Sequence, residues 1–189
     1  MKYSKTVVLK DGRTCIIRNG TRQDAQGVWD NFVLTHGETE YLTTYPEEVT
    51  FTLEQEEAYL KQKEESDRDA ALLAEVDGKV VGTAGVDSLN AAEKTRHRAH
   101  FGISIAKAWW GLGIGRALTE ACIECAREAG YLQLELEVVA DNMGMAPIAR
   151  QSPSTARKWN CPMARGAVWP TAPSLPCMRP IWPWPSSTP

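Results

Sequence analysis

The segment best suited to chemistry is the glycine-rich run Trp110-Gly111-Leu112-Gly113-Ile114-Gly115-Arg116. Glycine at every second position lets the main chain turn tightly with its N–H groups aimed inward. A helical pattern follows at once, and the unpaired amides at a helix N-terminus attract anions. The sequence therefore predicts a phosphate or pyrophosphate site in this loop.

Two common phosphate-binding loops do not fit this run. A dinucleotide fingerprint needs Gly-x-Gly-x-x-Gly, and a count from Gly111 puts its third glycine at Arg116. A P-loop ends in Gly-Lys-Ser or Gly-Lys-Thr, whereas this run continues as Gly115-Arg116-Ala117. The alternative without a ligand is that the glycines only turn a strand into a helix.

The elements around the loop follow from hydrophobic periodicity. We predict a strand over 99–105 before the loop and a helix over 115–129 after it, closed by Gly130 as a left-handed cap. The alternating residues 131–138 predict a further strand with its leucines on one face.

The N-terminal half predicts two hairpins separated by two helices. Asp11-Gly12 and Asp77-Gly78 are hairpin turn pairs between apolar runs. Thr21-x-x-Asp24 and Thr52-x-x-Gln55 are typical of capping boxes that open helices. The first helix is predicted to bury one apolar face, made of Ala25, Val28, Trp29, Phe32 and Val33. This order of elements predicts an α/β fold, a mixed sheet with helices packed against it.

The loop resembles the x-x-x-Gly-x-Gly loop of the GCN5-related N-acetyltransferases (the GNAT superfamily), whose members bind the pyrophosphate of acetyl-CoA through such amides. The similarity is strongest from Phe101 to Asn142, and the element order matches over residues 6–142 of the 189. The resemblance implies an α/β (α+β) fold with a mostly antiparallel central sheet. It also implies acetyl-CoA as cosubstrate and a primary amine, on a small molecule or a peptide N-terminus, as acceptor.

The resemblance also implies a set of cofactor-binding residues. Backbone groups of the strand before the loop would pair with the pantetheine arm as if it were an added strand, and an amide near Ile105 would polarise the thioester carbonyl. This requires that the strand near Ile105 diverge from the strand near Leu136. The implied cofactor-binding residues are Ile103, Ser104, Ile105, Gly111, Leu112, Gly113, Ile114, Gly115, Arg116 and Asn142.

The catalytic residues are less well defined. His100 stands where relatives commonly carry Glu, so it is a candidate base, although an edge-strand histidine is the commoner explanation. Relatives place a thiolate-protonating Tyr after the Asn, and this chain has no Tyr after Tyr131. Pro147 would also break the helix expected there. Trp110 is a further departure, because the family usually has Arg or Gln at that position.

The chain changes character near residue 150. Residues 1–150 carry all 24 acidic residues, whereas 151–189 have none and hold nine of eleven prolines and four of seven tryptophans. We therefore divide the chain into an incomplete acetyl-CoA-binding domain, 1–150, and an irregular aberrant tail, 151–189. The tail is either a natural Pro-rich segment or an out-of-frame translation. Without the family's last helix and strands, an inner sheet edge would be exposed, which favours aggregation or a homodimer.

Composition excludes several other functions. A net charge of -3 offers no broad basic surface, so nucleic acid is not an expected partner. No stretch approaches the ~20 apolar residues of a membrane span. Five cysteines, an odd number and few for a disulfide scaffold, favour a cytoplasmic protein. Cys122-x-x-Cys125 lies mid-helix and is interpreted as core packing, so no metal site is expected.

Acidic residues offer two weaker signals. The run from Glu54 to Glu65 could face a cationic amine, but a solvated helix face explains it better. Glu47 and Glu48 fall where the family binds its acceptor. The sequence thus predicts an N-acetyltransferase, and the rival hypothesis is a noncatalytic acyl-CoA-binding protein or an inactive relic of such an enzyme.

Overall fold

The computed structural model describes residues 2–42, 48, 50–89 and 92–136. These ranges form one sheet, three α-helices and short 3-10 turns. In chain order the strands and α-helices are β1 Ser4–Val8, β2 Thr14–Asn19, α1 Ala25–Glu38, α2 Leu53–Glu65, β3 Ala70–Val76, β4 Lys79–Ser88, β5 Arg98–Ile105, α3 Ile114–Glu128 and β6 Gln133–Glu135. None of the helices in the described ranges has the length and apolar character that a bilayer crossing requires.

The six strands lie in the sheet in the order in which they occur along the chain. Neighbours from β1 to β5 are antiparallel, and β6 runs parallel to β5. Parallel neighbours need a crossover, which here is α3. The sheet is therefore mixed, as the order of elements predicted, and mostly antiparallel, as the family resemblance implied.

Both predicted hairpins form, because their turn residues accept positive φ. Asp77 and Gly78 have φ of 50° and 75°, the sign that a two-residue Asp-Gly turn needs at both positions. Gly12 has φ of 87° between β1 and β2. Gly130 has φ of 78° after α3, which confirms the predicted left-handed cap.

The predicted helix starts are confirmed, with one difference. Asp24 accepts hydrogen bonds from the Thr21 N–H and hydroxyl, each at 2.8 Å, but this box opens a 3-10 turn over Arg22–Asp24 before α1 begins. Arg18 on β2 holds the same carboxylate at 2.7 Å and lies 2.7 Å from Glu75 on β3. These ion pairs tie the start of α1 to the sheet. At α2, the Thr52 N–H donates to the Gln55 side chain at 2.7 Å.

The sheet has a core on each face. One is shared with α3, where Leu118, Ala121, Cys122, Cys125 and Ala126 are buried, so the two cysteines pack in the core as interpreted. The other is shared with α1 and α2 and contains Ala25, Val28, Tyr59, Leu60, Ala71 and Leu73. Helices on both faces protect the central strands from solvent.

The predicted apolar face of α1 is wrong at Val33, which is 46% exposed. Asn31 and Thr35 are buried in its place. These two residues lie three and seven positions after Val28 and share its face, whereas Val33 is turned away. The buried stripe of α1 is therefore partly polar, which an apolar pattern does not reveal.

The acidic helix α2 is not simply solvated, because Glu56 and Lys63 are buried in it. The Lys63 ammonium pairs with Asp87 on β4 and lies 3.4 Å from Asp69, which precedes β3. Burial raises the pKa of Asp87, and the Lys63 charge opposes that rise. Buried charges of opposite sign thus fasten α2 to the sheet, since either partner alone would be costly to bury.

Glu56 has no such partner for its Oε1 atom within the described residues. It is 2% exposed, and burial raises its pKa to about 7. The folded protein therefore favours the neutral acid. This pKa lies above the ordinary value of 4.5. The contribution of the Glu56 carboxyl to the free energy of unfolding is therefore complete at low pH, and it is lost as pH rises through about 7.

We predict that Glu56→Gln stabilises the fold relative to wild type at about pH 8 and has little effect at about pH 5, with a difference of about 2 kcal/mol between the two conditions. The amide stays neutral where the buried carboxyl must ionise. Urea unfolding at both pH values measures the difference. The control is Glu64→Gln, an exposed residue on the same helix, which we expect to show no such dependence. Equal pH dependence in both variants would contradict the assignment.

Candidate functional site

The loop between β5 and α3 owes its shape to two glycines. After a 3-10 turn over Lys107–Trp109, Gly111 adopts φ of 77° and Gly113 adopts φ of 103°. Side chains disfavour this left-handed region, so these positions need glycine for their backbone conformation. Gly113 is the N-cap of α3.

The start of α3 is open to an anion. The first helical bond runs from the Ala117 N–H to the Gly113 carbonyl at 3.1 Å, so the amides of 114–116 precede the intrahelical ladder. The Gly113 N-cap brings no side-chain hydrogen bond. A Cβ added at Gly111 or Gly113 would meet no atom within 4 Å. Among the described residues, unpaired donors, the helix dipole and free space therefore coincide.

The turn between β1 and β2 braces this loop. The Lys10 N–H donates to the Leu112 carbonyl at 3.2 Å. The Arg13 guanidinium lies 4.1 Å from the centre of the Trp109 ring. The Arg116 side chain pairs with Glu120 on α3 at 2.8 Å. The hydrogen-bond donors of the loop are therefore main-chain groups rather than this guanidinium.

Strand β5 is paired with β6 over part of its length. The paired residues are Arg98, Ala99 and His100, opposite 133–135. From Phe101 to Ile105, β5 has a neighbouring strand on its β4 side only, within the part of the chain that the structure describes. The loop follows this open stretch directly.

Alternation along β5 determines which main-chain groups face the open edge. The His97 carbonyl accepts from the Leu132 and Gln133 N–H groups on the β6 side, whereas the Ala106 N–H donates to Val81 at the start of β4. Odd-numbered positions of β5 therefore face β6 or the open edge, and even-numbered positions face β4. Of the three predicted residues, Ile103 and Ile105 present main-chain groups at the edge. Those of Ser104 point toward β4.

Trp110 makes a contact that no sequence pattern predicted. Its indole N–H donates to the Ile105 carbonyl at 2.7 Å, and the residue is 43% exposed. The acceptor is one of the outward main-chain groups at the open edge of β5. A residue next to the loop thus reaches back to the strand that precedes it.

The candidate base His100 is the last residue of β5 that pairs with β6 in the described part of the chain. It is half-buried, opposite Asp87 on β4 and Glu135 on β6. Asp87 is paired with Lys63, and the charge of His100 joins that of Lys63 in opposing the rise in the pKa of Asp87. His100 and Ser104 are both at even positions and so share a face of β5, about 13 Å apart along the strand.

Other predicted residues contribute less. Asn142 and Glu47 lie outside the described residues, as do Pro147 and the segment 151–189. Glu48 is exposed. No group of three or more His, Cys, Asp or Glu side chains in the described ranges is arranged to hold a metal ion.

Comparison with solved structures shows a shared fold. A GNAT-family acetyltransferase from Streptococcus pneumoniae is 27% identical, with 72% of this chain and 81% of that one covered and a TM-score of 0.68. Ribosomal-protein-alanine N-acetyltransferase from Brucella melitensis is 28% identical over 71% and 80% of the two chains, with a TM-score of 0.63. The yncA protein from Salmonella typhimurium, solved with its cofactor acetyl-CoA, is 18% identical over 71% and 75%, with a TM-score of 0.63, and shows the fold alone.

No curated protein matches the chain. The family model described as the acetyltransferase (GNAT) family matches residues 35–151, more than half of the sequence and the whole of the β5–loop–α3 unit. The chain therefore belongs to the acetyltransferase (GNAT) family.

Proposed function

We propose that this protein transfers an acetyl group from acetyl-CoA to a primary amine on a small molecule or a peptide N-terminus. The observation that carries the proposal is the open stretch of β5 leading into a loop of unpaired amides. Two relatives support the finer points. The Brucella melitensis enzyme is named for acetylating an alanine, and the yncA structure holds acetyl-CoA.

The described residues fit acetyl-CoA, which would supply an acyl group activated as a thioester. Amides of 111–116 would bind the pyrophosphate, because a helix N-terminus with no side-chain cap favours an anion. The main chain of Ile103 and Ile105 would hold the pantetheine arm by strand addition. The amide near Ile105 would stabilise negative charge that develops on the carbonyl oxygen. Asn142 stays a predicted further contact.

The acceptor must arrive as a neutral amine. An alkylammonium has a pKa of about 10, so a base or an ordered water must take its proton before attack. We propose His100 as that base, because it lies at the end of the described pairing of β5 with β6 and a neutral imidazole can accept a proton. The departing thiolate has no assigned acid, since the sequence has no Tyr beyond Tyr131.

That missing Tyr is the specific observation that favours a second candidate, a noncatalytic acyl-CoA-binding protein. Acetyl-CoA consumption measured across a panel of amines and peptide N-termini distinguishes the two functions. Turnover of any acceptor above the hydrolysis background supports the transferase. Thermal stabilisation by CoA without turnover of any acceptor would support the binding protein instead. If the protein shows neither turnover nor thermal stabilisation by CoA, both functions are contradicted.

We predict that Gly113→Ala weakens CoA binding about tenfold, because a strained cap misaligns charge-assisted hydrogen bonds to the pyrophosphate. Isothermal titration with CoA measures the loss. Gly130→Ala is the matched control, since Gly130 also has positive φ and open space but lies at the other end of α3. Both variants should lose about 1 kcal/mol of stability. An equal loss of CoA affinity in the two variants would contradict a role for the loop.

We predict that His100→Gln lowers kcat by about a hundredfold without changing the affinity for CoA, because it removes the general base but no cofactor contact. Steady-state kinetics and CoA titration measure the two quantities. His97→Gln, a change at a half-buried histidine just before β5, serves as the control. If both variants keep wild-type kcat, His100 is a structural residue of β5 with no part in proton transfer.

A further inference from the structure

We infer that the Trp110 indole occupies the position on β5 that the pantetheine arm takes, and therefore competes with acyl-CoA for the Ile105 carbonyl. The inference rests on the proposed function, because it assumes that CoA binds along this edge. It assigns Trp110 a role in setting cofactor affinity, at the position where the chain departs from its family's Arg or Gln.

The contact itself is well defined. The indole nitrogen lies 2.7 Å from the Ile105 oxygen, within the range of a normal N–H···O bond. By the alternation of β5, that oxygen points away from β4, on the side where β5 has no strand partner among the residues that the structure describes. An added strand on this edge would direct an N–H group at the same oxygen, from the side that the indole now occupies.

The indole can leave without unfolding the loop. The main chain of Trp110 is anchored separately, because its N–H donates to the Lys107 carbonyl at 3.1 Å. The residue is 43% exposed, so a rotated indole N–H can bond to water. When the indole is displaced, its N–H bond to the Ile105 carbonyl is therefore replaced by a bond to water. This needs only a rotation of the Trp110 side chain, not a change of fold.

The neighbouring Trp109 shows that the arrangement is specific to one of the two indoles. Trp109 packs beneath the Arg13 guanidinium on the side of the β1–β2 turn, as part of the brace on the loop. The two adjacent tryptophans therefore have different roles. Trp109 supports the loop, and Trp110 covers the open strand edge, which would otherwise present an unpaired main-chain acceptor.

The proposal is tested with Trp110→Phe in the full-length chain. Phenylalanine keeps an aromatic ring but has no donor, so CoA no longer has to displace a hydrogen bond. We expect CoA to bind about fivefold more tightly to this variant in isothermal titration, the equivalent of one ordinary hydrogen bond. Trp109→Phe is the matched control and should not tighten binding. Unchanged or weaker binding to Trp110→Phe would overturn the inference.

A second measurement uses the wild-type protein and does not depend on a variant that folds. The indole N–H resonance of Trp110, assigned by nuclear Overhauser effects in the wild-type protein, should move on CoA addition toward the position of a solvent-exposed indole. A resonance that stays unchanged at saturating CoA would overturn the inference while the proposed function stands. If CoA binds to neither wild type nor variants, the proposed function fails and the inference fails with it.

Discussion

The candidate site depends on main-chain N–H groups that have no partner among the described residues where α3 begins. A helix must leave its first amides without internal partners, and here no side chain caps them. Gly111 and Gly113 supply backbone angles that keep the approach to these amides open. The rest of the described structure holds this donor group at the end of β5.

The sheet provides that support through its connections. Because β6 is parallel to β5, the chain must cross back over the sheet, and α3 makes the crossing with its N-terminus next to the end of β5. Buried residues of α3 pack on one face of the sheet. On the other face, α1 and α2 are tied to the strands by ion pairs of Arg18 and Lys63. The strand edge and the helix terminus are thus fixed relative to each other.

Local sequence predicted most of the elements. The Asp-Gly turns, the Thr52-x-x-Gln55 cap and Gly130 act on neighbouring residues, so their patterns identify them directly. The resemblance to the GNAT superfamily rested on the loop, and the family match confirms it. Val33 was misplaced because an apolar pattern cannot show that Asn31 and Thr35 share the buried face of α1.

The features that sequence did not predict are contacts between distant elements or side chains. The ion pair of Lys63 joins residues 24 positions apart, and nothing in an acidic, lysine-containing helix marks one lysine as buried. Burial of Glu56 is hidden in the same run. The Trp110 bond depends on which way the Ile105 carbonyl points, and this follows from strand register rather than from residue type.

The most direct test is a ¹H–¹⁵N correlation spectrum of the full-length protein titrated with CoA, with pantetheine, which lacks the pyrophosphate, as the comparison ligand. If the loop binds the pyrophosphate, the amide resonances of 111–116 shift with CoA and stay nearly unchanged with pantetheine. Saturation with CoA that leaves those resonances in place would contradict the account.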